Sequence, residues 1–374
     1  MSITYIPPRV PSVEGFLKED GTVPLTGIWN TGNFNILGRS AVYTSASAPG
    51  NPYPLMLWSD TTFSYRFMLR QWAGSSWRTV YSYETAARTI PLIHDHGALL
   101  TGASILAAYN DIGMFGGQSI TITIKNKTVK NFLNASAVNA GSGKVKLPLA
   151  SGHGFVAGEK VCIDGTTNYN GVFDIASVEV GYIIIPATYV AETISASAVV
   201  RVVIDTAGLI VKNAYNIILL IGEGFDSSIN QKQPVVFYSG ITLATLTIAD
   251  MSLKSVVRGI KFVASLASIV FYVRKILLSS VEYCAFNGIA ANGVLAEYGS
   301  VLEVTSCSFK DTGNAAIQAY RSATVISNNN SSVSGVKYGL VADFGGTIKK
   351  VSSTQPTGTM ANEYAVTSRA GQII

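Results

Sequence analysis

The sequence predicts an all-β chain whose C-terminal half is a right-handed parallel β-helix. Two observations carry that prediction. β-Branched and polar residues alternate along most of the chain while helical spacing is almost absent, and a block near the C-terminus recurs every 23 residues. Alternation at period two is plain in SITITIKNKTV (119–129), GYIIIPATYV (181–190) and ATLTIADMSL (244–253), and it sends successive side chains to opposite faces of a strand. One short helix is expected, over 102–112. The longest apolar run, 262–273, is twelve residues; a membrane-spanning helix needs about 20, so it reads as buried strand.

The repeat is seen by laying GVLAEYGSVL (293–302) over AIQAYRSATV (316–325), GLVADFGGTI (339–348) and AVTSRAGQII (365–374), at offsets of 23, 23 and 26. Val294, Ile317, Leu340 and Val366 then form one column, Ala296, Ala319, Ala342 and Ser368 a second, and Leu302, Val325, Ile348 and Ile374 a third. Between the apolar columns runs a polar one, Glu297, Tyr320, Asp343 and Arg369, while Gly299, Ser322, Gly345 and Gly371 mark a turn. Cys284 and Phe286 precede Cys307 and Phe309 by the same 23 residues. Upstream, the frame of Gly259 is expected to precede that of Gly293 by 34, one repeat plus an eleven-residue excursion, and the register to begin near residue 208. A 23-residue unit of short strands cannot bury its inner face alone and must coil on its neighbours, about 4.8 Å apart. The Leu-x-x-Leu-x-Leu-x-x-Asn pattern of a leucine-rich repeat is missing. Cys284 and Cys307 are expected as a reduced thiol ladder, and Asn328, Asn329 and Asn330 as turn-side hydrogen-bonding groups. Ile374 falls midway through a coil, which predicts an open sheet edge where something docks, or a terminal segment removed during maturation.

Composition narrows the function classes. Charged residues make up 13% of the 374, hydrophobic ones 48%, and mean hydropathy is +0.32, which excludes a disordered chain or a coiled coil. The 27 basic and 22 acidic residues give a net charge of +5 with no basic run, so no nucleic-acid partner is expected. Three cysteines (Cys162, Cys284, Cys307) exclude a disulfide framework and suit synthesis in a reducing cytoplasm. The N-terminus lacks the apolar segment of a signal peptide, and no membrane insertion is expected.

Ahead of the coils, HGFVAGEKVCIDGTTNYNGVF (153–173), with Tyr189 to Glu192 and the closing Val-Val-Arg201, predicts a small β-barrel or sandwich inserted over 147–202. This signature resembles a small β-module that recurs in bacteriophage tail-fibre and other virion proteins. VPLTGIWNTGNFNI (23–36) and the block over 46–80, anchored by Trp58, Trp72 and Trp77, are similar to segments near the start of phage tail fibres. Four parts follow: a virion-attachment region at 1–90, a neck with the first coils at 91–146, the inserted barrel at 147–202 and the β-helix at 203–374. The resemblance implies a phage tail fibre or tailspike-like structural protein. It would form a homotrimer made in the host cytoplasm, held to other tail or virion proteins through its N-terminal region, and taking part in host attachment. Its C-terminal end would meet a host surface glycan or a further fibre protein. The alternatives are a polysaccharide depolymerase tailspike and a head- or collar-decorating fibre.

No enzyme is expected, although one constellation merits attention. Cleavage of a glycosidic bond needs two carboxylates about 5 to 9.5 Å apart. Glu297 and Asp343, two coils apart, are the candidate pair at about 9.6 Å. Arg369, one coil beyond Asp343, is expected to pair with it and to lower its pKa, against the needs of an acid catalyst. Asp311, Glu282 and Glu303 are expected without partners. Gly113 to Gly117 and Gly222 to Phe225 read as turns rather than nucleotide loops, and three histidines without Gly-x-Ser-x-Gly leave no hydrolase triad. His94 and His96, if extended, face one side, and six such rings on a trimer axis could hold a transition metal, a use of His-x-His that the resemblance also implies. Otherwise no cofactor is expected, and His153 reads as a turn residue.

Overall fold

Three parallel sheets of six, seven and nine strands wind around one core in the computed structural model. It describes residues 42–374 apart from 51, 53–56, 65, 114–116, 213–215, 226, 229–230, 252–253, 267–268 and 289–291. The segment 1–41, with the attachment motif 23–36, lies outside the described residues.

The nine-stranded face starts at Arg88–His94 and Ser119–Asn126, and passes through Ile217–Gly222, Ser255–Arg258, Ser279–Glu282, Val301–Thr305, Thr324–Asn328 and Thr347–Lys350 to Gln372–Ile373. The seven-stranded face runs from Leu209–Val211 to Ala361–Ala365, and the six-stranded face from Ile204–Asp205 to Ser331–Ser334. Every pairing in these three sheets is parallel, as coils stacked in one direction require. The all-β prediction therefore stands as a parallel solenoid, and the seven-stranded face does begin at Leu209. Its column Val294, Ile317, Leu340 and its column Ala296, Ala319, Ala342 are in register as the sequence spacing implied.

Two parts of the repeat frame are corrected. The last coil keeps the 23-residue step on the seven-stranded face, so Leu340 lies beside Glu363 and Ala342 beside Ala365, not Val366 and Ser368; Ile348 lies beside Ile373 rather than Ile374. The two extra residues of the last coil lie between Ala365 and Gln372, and the alignment carried that excess back into the preceding strand. There is also no eleven-residue excursion before Gly293. Ile269 pairs with Asn292 and Phe271 with Val294, whereas Gly259 belongs to a different corner.

A column of inward phenylalanines fills the centre of four successive coils. Phe237 meets Phe262 edge to face at 5.5 Å, and Phe262, Phe286 and Phe309 stack at 5.3 and 5.1 Å. Each burial contributes roughly 2–3 kcal/mol. This stack also explains Gly293, where a Cβ would stand 2.7 Å from the Phe309 ring. Cys284 and Cys307 are free and buried, their thiols donate to Val257 O and Val281 O, and burial pushes the Cys307 thiol up, so the ladder is a reduced one. Asn330, fully buried, accepts from Cys307 N at 2.9 Å and donates to Val304 O at 2.8 Å, which is the turn-side role expected of it. The predicted helix spans Gly102–Asn110 and closes one end of the core with Ile105, Ala108 and Tyr109.

The barrel is threaded between coils. Ile120 pairs with Ile218, and most of the intervening chain forms antiparallel sheets around a separate core running from Phe132 to Val202. Its first strand, Lys130–Asn131, lies upstream of the expected start at 147, and at two residues it is too short to show as a pattern in the sequence. The barrel sits on the outside of the six-stranded face, where Cys162, Val203, Val236, Tyr238 and Val263 form a small joint core. At the other end of the described chain, Trp77 packs edge to face on Trp58 (5.4 Å) and Trp72 (5.5 Å), so the three tryptophans do anchor a four-stranded sheet. No helix among the described residues is long and apolar enough to cross a membrane.

Candidate functional site

The corner between the seven-stranded and nine-stranded faces carries the polar column. Lys275, Tyr298, Arg321 and Phe344, spaced by 23, all adopt positive φ (52, 55, 48 and 47°). In three of these coils the next residue, Gly299, Ser322 or Gly345, does the same. Two consecutive left-handed residues reverse the chain sharply, and bulky side chains there cost about 1–2 kcal/mol each. Sequence reading found the second residue of each turn through its glycines. It missed the first, because Tyr, Arg and Phe are not left-handed formers; only their 23-residue spacing was a signal. Gly371 does not belong to the column, since the last coil turns through a short 3₁₀ segment, Thr367–Arg369, with Ala370 left-handed.

These strained residues stand outward. Tyr298 and Phe344 are 44% and 43% exposed. The Arg321 guanidinium lies 5.0 Å from the Tyr298 ring and 5.1 Å from the Tyr320 ring, and bonds to the Tyr298 hydroxyl. Tyr320 meets Phe344 edge to face at 4.9 Å, and Arg369 covers Phe344 at 4.5 Å. The result is one continuous outward ladder of rings and guanidinium groups.

Behind the ladder lie the two candidate carboxylates, both largely buried. The register stacks Arg274, Glu297, Tyr320 and Asp343 in turn. Glu297 Oε2 accepts from the Tyr272 hydroxyl; burial, then that carboxylate, holds the Tyr272 phenol above its usual range, so it stays a donor. Asp343 Oδ1 accepts from Phe344 N at 2.8 Å, and its Oδ2 pairs with Arg369 at 3.3 Å. Arg369 reaches it from the 3₁₀ segment, because Val366 takes the place in the column expected for Arg369. Glu282 is not partnerless: Arg258 holds it at 2.5 Å, and Lys254 lies 4.0 Å from Glu303, while Asp311 accepts from Ser334 at 3.4 Å.

His94 and His96 do not share an open face. The strand ends at His94, and Asp95 pairs back to Ala98, so the alternation that would align the rings is broken. His94 is enclosed, its Nδ1 accepting from Leu100 N at 3.0 Å, and burial lowers its pKa to about 4. His96 turns to the barrel, 3.1 Å from Glu159 and edge to face on Phe155. No group of three or more His, Cys, Asp or Glu side chains suited to a metal occurs among the described residues. His153 accepts from Phe155 N at 3.1 Å in its turn.

No protein-family model matches the chain, and no curated protein is significantly similar to it. Among solved structures it is similar to the tailspike protein gp49 from Pseudomonas phage LKA1, at 12% identity and TM-score 0.24 over 74% of this chain and 52% of that one. It is also similar to the Gp54 tailspike of Acinetobacter baumannii bacteriophage AP22, in complex with capsular saccharide (10%, 0.19, 76% and 70%), and to tailspike gp61 of Pseudomonas phage phi297 (11%, 0.20, 69% and 64%). The chain spans about half the length of the first of these.

Proposed function

We propose that this chain is the solenoid body of a bacteriophage tail spike or fibre that takes part in attachment to the host surface, and that its outward corner contacts surface saccharide without cleaving it. The observation that carries the reading is the ladder of Tyr298, Arg321, Tyr320 and Phe344. Its rings and guanidinium groups are held outward at a backbone cost that packing does not require. Aromatic faces suit the C–H side of a pyranose, and arginine suits its hydroxyl and acidic groups. Glu297 and Asp343 serve the corner as acceptors from Tyr272 and Arg369, rather than as an acid and base facing a glycosidic bond. The resemblance of 153–173 and of the N-terminal segments supports a homotrimer fixed to the virion through the region ahead of the solenoid.

Purified protein, with a trimeric mass three times 39.6 kDa by sedimentation, is expected to bind a subset of lipopolysaccharide and capsule preparations. Arg321→Ala and Phe344→Ala should each weaken that binding about tenfold, and no reducing ends should appear. Sugar release that disappears in Glu297→Gln makes the protein a depolymerase instead. An intact trimer that binds no glycan makes it an adaptor for another fibre.

A further inference from the structure

One sheet of the described chain shares neither strand pairing nor core with the solenoid. The strands Leu57–Asp60, Arg66–Trp72 and Trp77–Glu84 pair only within their own four-stranded sheet, and none of their residues belongs to the solenoid core. Between that sheet and the first solenoid strand, Arg88–His94, lies a link of three residues, Thr85, Ala86 and Ala87, all exposed. A link so short and bare fixes no angle by itself.

The angle is held instead by one carboxylate. Glu84, the last residue of its strand, is fully buried. Its Oε1 accepts from Arg66 Nε of the sheet at 3.0 Å, from Arg88 Nη2 of the first coil at 3.3 Å, and from Gly113 N, just past the helix, at 2.6 Å. Asp111, which caps the helix, engages the same two guanidinium groups at 3.1 and 2.9 Å. Gly113 is itself anchored to the solenoid, because its carbonyl accepts at 2.6 Å from the amide of buried Asn216, next to the strand Ile217–Gly222. A Cβ at Gly113 would stand 3.1 Å from Glu84 Cγ, so a larger residue there pushes on the carboxyl group.

This clasp is incomplete. Three donors meet on one oxygen, while Glu84 Oε2 is buried with no hydrogen-bond partner among the described residues. A buried ionic network holds only while each charge keeps its partner, and without the shared anion both guanidinium groups are left to Asp111. Such a joint is either locked or free.

We propose that Glu84 locks a hinge at residues 85–87: the four-stranded sheet is a separately folded head, held at one angle on the solenoid and free to swing once the clasp opens. The proposal does not depend on what the corner at Arg321 contacts.

The test is double electron–electron resonance on the full chain, with spin labels at Thr79→Cys in the sheet and Lys125→Cys in the strand Ser119–Asn126, labelled chains being diluted in unlabelled protein. Both positions are exposed, whereas the native cysteines Cys162, Cys284 and Cys307 are buried and take no label. The unsubstituted clasp is expected to give one narrow distance distribution. Glu84→Gln should broaden it at least about twofold, and Gly113→Ala, which keeps every charge but crowds the carboxyl group, should do the same. Hydrogen exchange at 85–88 should quicken at least about tenfold in each, with Arg66–Trp72 and Ser119–Asn126 as protected as before. A narrow distribution in both folded variants overturns the proposal, and so does a broad one with the clasp intact. Loss of protection throughout the sheet in both variants also overturns it, by making Glu84 a folding residue rather than a lock; such loss in Glu84→Gln alone leaves Gly113→Ala to decide by the same criterion.

Discussion

Two outward surfaces of the same solenoid are treated in opposite ways. On the six-stranded face, outward Val236, Tyr238, Lys261 and Val263 are sealed under the barrel, and the one ammonium among them is paired. At the corner between the other two faces, outward Tyr298, Arg321 and Phe344 are left bare although their backbones are strained. The inner columns are alike in both regions, so core formation does not explain the contrast. It teaches that this chain covers its own exposed apolar surface where it has an insertion to spare. The bare corner is the surface that the proposed attachment reading assigns to a partner.

The comparison breaks most visibly on the covered side. Asp164→Asn removes the anion between two buried cations, Lys261 and Arg201, and is expected to destabilise the protein by about 3–5 kcal/mol in urea unfolding. A variant that unfolds with wild type would mean that the barrel's seat contributes nothing. Next in size is an acid effect at the same seam. The His94 pKa is lowered to about 4, chiefly by burial, from an unfolded value near 6.5. Between those values the unfolded chain binds more protons, so stability falls as pH drops below about 6.5, by about 3 kcal/mol at pH 4. The lowered Asp164 carboxyl adds its own loss only below its unfolded value of 3.8. His94→Asn, which keeps an acceptor for Leu100 N, should flatten the slope between pH 6.5 and 4; an unchanged slope assigns it elsewhere. Smallest is the corner itself. Phe344→Asn relieves a left-handed phenylalanine and should raise stability by about 0.5–1 kcal/mol while weakening saccharide binding. A loss of stability there would make the aromatic column a packing device and erase the contrast.

Much of the fold was legible, for a physical reason. A solenoid satisfies each coil with the next, so its columns must repeat in the sequence, and Val294, Ile317 and Leu340 announced themselves that way. The last coil was misread because a turn of unequal length, the 3₁₀ segment after Ala365, breaks the period without breaking the stack. The candidate site was half legible. Spacing brought Glu297, Tyr320 and Asp343 together, but the neighbouring column of Tyr298, Arg321 and Phe344 has no shared chemistry to mark it, only a shared backbone conformation. The salt bridge that seats the barrel on the solenoid was not legible at all, since Asp164 and Lys261 lie 97 positions apart and nothing local relates them.

By itself, then, the sequence determined the parallel stacking, the inward columns and the existence of a separate barrel module, because these depend on periodic burial that each residue records locally. The tertiary structure alone decided where that barrel sits, which outward side chains it covers and which stay bare. Those outcomes depend on charge pairing and contact between segments far apart in the chain, and no local pattern encodes them.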